Sequence, residues 1–161
     1  MHILARNPAR RTDHMKHPTT LTGFAAALTI AGGAAKADEM FLTHALDMER
    51  AEAVAAIRDK VETEEDWLFL AEFRLAGGAV TALKVCYLPL GPDIVEAGLH
   101  VMAMMPCGNM AFFEAEDGST EMSMLDLAFM TELSDAPSLE TAVETGKPAF
   151  AALLSDTLDI D

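Results

Sequence analysis

Two apolar runs, Trp67 to Leu75 and Val80 to Leu88, flank the pair Gly77-Gly78. In the first run Trp67, Phe69, Ala71, Phe73 and Leu75 alternate with Leu68, Leu70, Glu72 and Arg74. A period of two is that of a strand turning one side to a core. A glycine pair between two extended segments predicts an antiparallel hairpin with a two-residue connection. The signal recurs further on, where Met110–Glu114 and Thr120–Leu125 flank Asp117-Gly118. In the last strand Met122 and Met124 fall on one side, Glu121 and Ser123 on the other.

Helical periodicity frames these hairpins. Phe41–Leu46 reads as a first short strand, and Asp47 is placed to cap a following helix with Glu49 and Glu52 in its first turn. Val54, Ile57 and Val61 recur on one face of that helix. Pro89 and Gly91-Pro92 interrupt the chain before a short helix from Asp93 to about His100. Ser138 opens a last helical stretch with Phe150, Leu153, Leu154 and Leu158 as its buried stripe, and Pro148 is expected to divide or restart it. Antiparallel strands with helices gathered on one face make an α+β fold.

Charge limits the partners. The 161 residues carry 11 Lys+Arg against 26 Asp+Glu, a net charge of −15. Sequence-independent nucleic-acid binding needs a basic surface, so this composition excludes it, and it opposes docking on an anionic membrane. With 51% apolar and 23% charged residues the chain is of a globular kind.

The N-terminus reads as an address. Lys16 and His17 precede an apolar stretch from Leu21 to Ala35 that ends in Ala35-Lys36-Ala37, the pattern of a secretory signal cleaved after Ala37. The stretch is shorter than the ~20 apolar residues of a membrane span, so no stable membrane insertion is expected after removal. The start codon is either Met1 or Met15, and a twin-arginine reading of Arg10-Arg11 is weakened by the polar Thr12-Asp13-His14 that follows. The expected organisation is an upstream extension and signal over residues 1–37 and one α+β domain over 38–161. Five of the 11 basic and one of the 26 acidic residues go with the leader, leaving 6 and 25, a net charge of −19. The expected place of work is the periplasm or the exterior.

Cys86-Tyr87-Leu88-Pro89, a short helix, Met105-Pro106-Cys107, an apolar strand, an acidic Asp-Gly turn and a strand ending at Asp126 together resemble the bacterial and archaeal family called domain of unknown function 302. Two cysteines with two prolines at this spacing carry the likeness, which is best over residues 85–133. Met105 stands where the family has leucine, and Leu127 where it has proline. The resemblance implies a β-α-β4-α two-layer sandwich, similar to one half of the TATA-binding-protein fold and often dimeric. It implies no reaction, and likeness of fold to a DNA binder transfers no function.

Cys86 and Cys107 are the candidate site, with Pro89, Met105 and Pro106 as its neighbours. Four readings stand. In an exported protein the pair can be a structural disulfide, and closing a loop of 20 residues contributes ~3 kcal/mol by chain entropy. The two can be unpaired buried thiols acting as small hydrophobes. They can cycle between dithiol and disulfide, although the C-x-x-C spacing of a thioredoxin-like exchange is absent. As thiolates they can hold Cu(I), with thioether help from Met102, Met104, Met105 or Met110. Core packing is the commoner role of such methionines. His44 and His100 formally complete a Cys2His2 set, but its spacing fits no zinc-finger pattern.

The sequence has no G-x-S-x-G, phosphate loop, H-E-x-x-H or dinucleotide fingerprint. The run Glu62, Glu64, Glu65, Asp66 lacks the spacing of a calcium loop. The expected role is therefore a non-catalytic binding or accessory domain that takes a small ligand, a soft metal or a protein partner between its sheet and a second subunit. The alternative is a thiol-based redox or soft-metal protein working through Cys86 and Cys107.

Overall fold

The structure is a computed structural model that describes residues 40–104 and 107–160. The predicted signal segment and its cleavage site lie outside the described residues, as do Met105 and Pro106. Five strands form one antiparallel sheet: β1 (Phe41–Leu46), β2 (Trp67–Leu75), β3 (Val80–Tyr87), β4 (Gly108–Glu114) and β5 (Thr120–Leu125). Their spatial order is β1-β5-β4-β3-β2, so the first strand returns to pair with the last. Helices α1 (Arg50–Thr63), α2 (Gly91–Glu96), α3 (Phe129–Leu133) and α4 (Pro137–Leu158) gather on one face. The expected α+β two-layer architecture is what forms.

Periodicity explains the layers. Ala53, Val54, Ile57 and Val61 form the buried stripe of α1, and Leu139, Ala142, Phe150, Leu153, Leu154 and Leu158 that of α4. These meet Leu83 and Val85 of β3, Met110 and Phe112 of β4, and Met122 and Met124 of β5. Met110, Met122, Met124 and Met130 are all buried, so these four methionines are core filler.

Several local expectations are corrected. Asp47 does not cap α1. Residues 47 and 48 bend, and Glu49 takes the cap, its carbonyl accepting the Glu52 and Ala53 N–H groups at 2.9 and 3.0 Å. The β2–β3 connection has four residues, Ala76 to Ala79, because Leu75 pairs with Val80. Gly77 and Gly78 (φ 69° and 98°) supply the left-handed backbone that this loop needs. The helix predicted from Asp93 to His100 ends at Glu96, and a 3₁₀ stretch, Leu99–Met104, follows after Gly98 (φ 116°). Pro148 does not divide α4, which runs for 22 residues through it. Proline removes one N–H bond there, and the buried side chains on both sides of it hold the helix to the sheet.

The most consequential difference is in β2. Phe69 pairs with Val85 but Ala71 pairs with Lys84, so Leu70 is an extra residue, a bulge. One inserted residue exchanges the faces of everything beyond it. Trp67 and Phe69 point toward the helices as expected. Beyond the bulge it is Glu72 that faces α1, where its Oε2 lies 3.0 Å from Nη1 of Arg58. Phe73 and Leu75 turn to the opposite side and are 50% and 49% exposed.

The acidic turn between β4 and β5 is held by Asp117. Its Oδ1 accepts the Ser119 backbone N–H at 3.0 Å and the hydroxyl at 2.7 Å. These bonds hold the carboxyl below the usual aspartate range.

Candidate functional site

β3 and β4 are spatial neighbours, yet 20 residues separate them in sequence. Those residues leave the sheet as an excursion through Leu88–Leu90, α2 and Leu99–Met104. Leu90, Ile94 and Val101, each 2% exposed, anchor it in the core. At its neck the last paired residues of the two strands are Val85 and Gly108. The next rung outward opposes Cys86 and Cys107. Their Cα atoms are 4.4 Å apart and their sulfurs stand at disulfide distance. Directly opposed antiparallel residues outside the hydrogen-bonded pairs approach to about 4.5 Å, so regular sheet geometry alone delivers the two sulfurs to each other.

The two adjacent rungs face opposite sides of the sheet. Val85 and Gly108 point to the helices, so the cysteines point to the other face. Beneath, the Phe150 ring of α4 lies on Gly108, where any Cβ would run into it, with Cζ at 2.8 Å. Trp67 meets Phe150 edge-on at 4.9 Å and Tyr87, tilted, at 4.9 Å. Asn109 Nδ2 donates to the Cys107 carbonyl at 3.1 Å.

Pro89 sits exposed in the first turn of the excursion. The other two expected neighbours, Met105 and Pro106, lie outside the described residues. Met110 is buried on the helix side, away from the cysteines. His44 lies on the far edge strand with its side chain to the helices, and His100 is exposed in the excursion. The four Cys and His residues do not converge. Among the described residues no three His, Cys, Asp or Glu side chains are grouped to hold a metal ion.

Two further features were not visible in the sequence. The face of the sheet opposite the helices has no layer over it among the described residues. Phe41, Leu68, Phe73 and Leu75 are 50%, 43%, 50% and 49% exposed there. Ala71, Ala82, Ala111 and Phe113 fill the face between them. The charged strand residues on it are Lys84 and Glu121. The bulge at Leu70 adds Phe73 and Leu75 to this surface, and no spacing rule forecasts a bulge.

The second feature is a cavity of about 230 Å³ on the helix side, between β1, β5 and α4. Leu42, Met124, Phe150 and Leu154 give it apolar walls. His44, Asp126 and Lys147 are its polar residues, and Lys147 Nζ lies 3.0 Å from Asp126 Oδ2. The second oxygen, Oδ1, accepts the Ala128 N–H at 2.9 Å, fixing the carboxylate. These residues come from three segments spread over more than a hundred positions, so no local motif announces them.

Among the described residues no helix is long and apolar enough to cross a membrane. No curated protein matches the chain. The crystal structure of an uncharacterized conserved DUF302 protein from Bacillus stearothermophilus is similar in fold, with a TM-score of 0.63 at 16% identity, covering 73% of this chain and 98% of that one. The model of the family described as domain of unknown function DUF302 matches residues 42–156, the span from β1 to near the end of α4. With its cysteine and proline spacing, its five-stranded sheet and this match over most of its length, the chain belongs to the DUF302 family.

Proposed function

We propose that the chain is exported, trimmed after Ala37, and works in the periplasm as a small acidic binding domain without catalysis of its own, joined to a second copy through the bare face of its sheet. The observation that supports this reading is the make-up of that face. It presents Phe41, Leu68, Phe73 and Leu75 to solvent, whereas soluble monomers rarely expose contiguous apolar patches beyond a few hundred Å². Its charges, Lys84 and Glu121, cancel, on a chain whose net charge is −15. Two copies repel each other over the rest of their surfaces. On this face they meet without net charge, and a two-fold arrangement would set Lys84 of each against Glu121 of the other.

In this reading the cysteine pair is a structural crosslink. A second reading, a dithiol that cycles with the disulfide, is favoured by the half-buried position of both residues at the strand ends, within reach of a small reductant. Incubation with glutathione followed by mass spectrometry separates the two. A structural bridge survives, because such bridges have potentials below about −300 mV, and a cycling one opens.

Light scattering during size-exclusion chromatography is expected to give twice the chain mass for the wild type. Phe73→Glu, on an exposed edge position, is expected to give the single-chain mass with an unchanged circular dichroism spectrum. A wild type that stays monomeric up to 100 times the concentrations of a usual run (~1 mM, well above the micromolar constants of standard interfaces) contradicts the proposal.

A further inference from the structure

The cavity between β1, β5 and α4 has the composition of a small-molecule site: apolar walls and a few convergent polar groups. Its volume of about 230 Å³ exceeds the roughly 150 Å³ of an engineered apolar cavity that takes up benzene. In proportion it accommodates a ring with a short substituent, about nine non-hydrogen atoms.

The polar groups decide the class of ligand. Lys147 has three N–H donors and one of them is directed at Asp126 Oδ2. The others, with a ring nitrogen of His44, can meet one hydrogen-bonding group of a ligand. The ammonium is already neutralised by Asp126 at 3.0 Å. A ligand carboxylate at Lys147 would therefore set a second negative charge beside the Asp126 carboxylate on an acidic protein, where it is repelled. Lys147 stands half-exposed at the cavity's mouth, so a bare hydrocarbon fits the apolar walls but makes no use of its remaining donors, whereas a hydroxyl adds a hydrogen bond.

We infer that this cavity binds a small uncharged aromatic molecule bearing one hydroxyl group, a simple alkylphenol in kind, with its ring against Phe150 and Leu154 and its hydroxyl toward Lys147 and His44. The site is separate from the bare face of the sheet and does not depend on association there.

The test is calorimetric titration of the full chain with three probes: 4-ethylphenol, ethylbenzene and 4-methylbenzoate. The phenol is expected to bind saturably, one per chain, with a Kd on the order of 0.1 mM, within the efficiency range of ligands this small. Ethylbenzene and 4-methylbenzoate are expected to bind at least tenfold more weakly. Ala151→Phe places a ring into the cavity from an exposed position of α4 and is expected to weaken phenol binding at least tenfold. Lys147→Met is expected to bring phenol and ethylbenzene within twofold of each other. Phe73→Glu, on the bare face, is expected to leave the phenol affinity unchanged, so this inference and the proposed association fail independently. No saturable phenol binding, a preference for the benzoate, or full affinity in Ala151→Phe overturns the inference.

Discussion

Replacing Cys86 and Cys107 together by serine is expected to lower the stability of the protein by about 3 kcal/mol, the chain-entropy value for closing a loop of this length. The bridge joins residues 21 apart, and the excursion it closes stays anchored by Leu90, Ile94 and Val101 whether or not the bridge is present. The effect therefore falls mainly on the unfolded chain, which gains freedom when the crosslink is removed. For a domain with a typical 5–15 kcal/mol of stability this is a large fraction. Thermal or urea unfolding of the wild type, the wild type in reductant and the double variant measures it. The last two are expected to coincide, with a melting temperature roughly 10 °C below that of the oxidised protein. A double variant as stable as the untreated wild type would show that the pair carries no crosslink in solution.

Gly108→Val is expected to be the most damaging single substitution on the sheet. Phe150, 1% exposed, lies against the Gly108 backbone and is abutted edge-on by Trp67, so its ring can yield only by moving into the cavity that it lines and breaking its contact with Trp67. Overpacking of a closed core costs about 1–3 kcal/mol even for small additions. Gly108→Ala is expected within that range and Gly108→Val above it, both read from urea midpoints. Gly91 is the internal control. It has helical dihedrals and nothing within 4 Å of an added Cβ, so Gly91→Ala is expected to leave stability unchanged or to raise it slightly. Combining Gly108→Ala with Phe150→Leu is expected to cost less than the sum of the two, since the smaller side chain makes room for the new methyl group. Equal losses at Gly91 and Gly108 would contradict the packing described.

These two predictions concern adjacent rungs of the sheet, one facing each side, and they show what a linear reading can and cannot reach. Val54, Ile57 and Val61 of α1, the strands at 41–46, 80–87 and 120–125, and the second hairpin follow from periodicity because each is a local pattern. The meeting of Cys86 and Cys107 was legible as a possibility, since each lies at the edge of a strand beside a proline. Their direct opposition depends on β3 and β4 being neighbours, which is a matter of topology. Gly108 carries no signal of its own. Its role comes from Phe150, 42 positions later.

The misreadings have equally definite causes. A single residue at Leu70 reverses the alternation of β2, so Phe73 and Leu75 belong to the bare face although they share the phase of Trp67 in sequence. Pro148 breaks an isolated helix, but the flanking buried residues Gly146 and Phe150 keep α4 continuous against the core. The cavity of His44, Asp126 and Lys147 escapes any motif, because proximity between β1, the end of β5 and the middle of α4 exists only in the folded chain.

The central claim is that a trimmed, internally crosslinked domain associates with its own kind through an uncharged apolar sheet. Native mass spectrometry of the protein taken from the periplasm of its own cells examines every part of that claim at once. The expected species has two chains, each beginning at Asp38 and each two hydrogens lighter than its reduced form. A single chain that retains its first 37 residues, or a pair of free thiols carrying a copper ion, would contradict it.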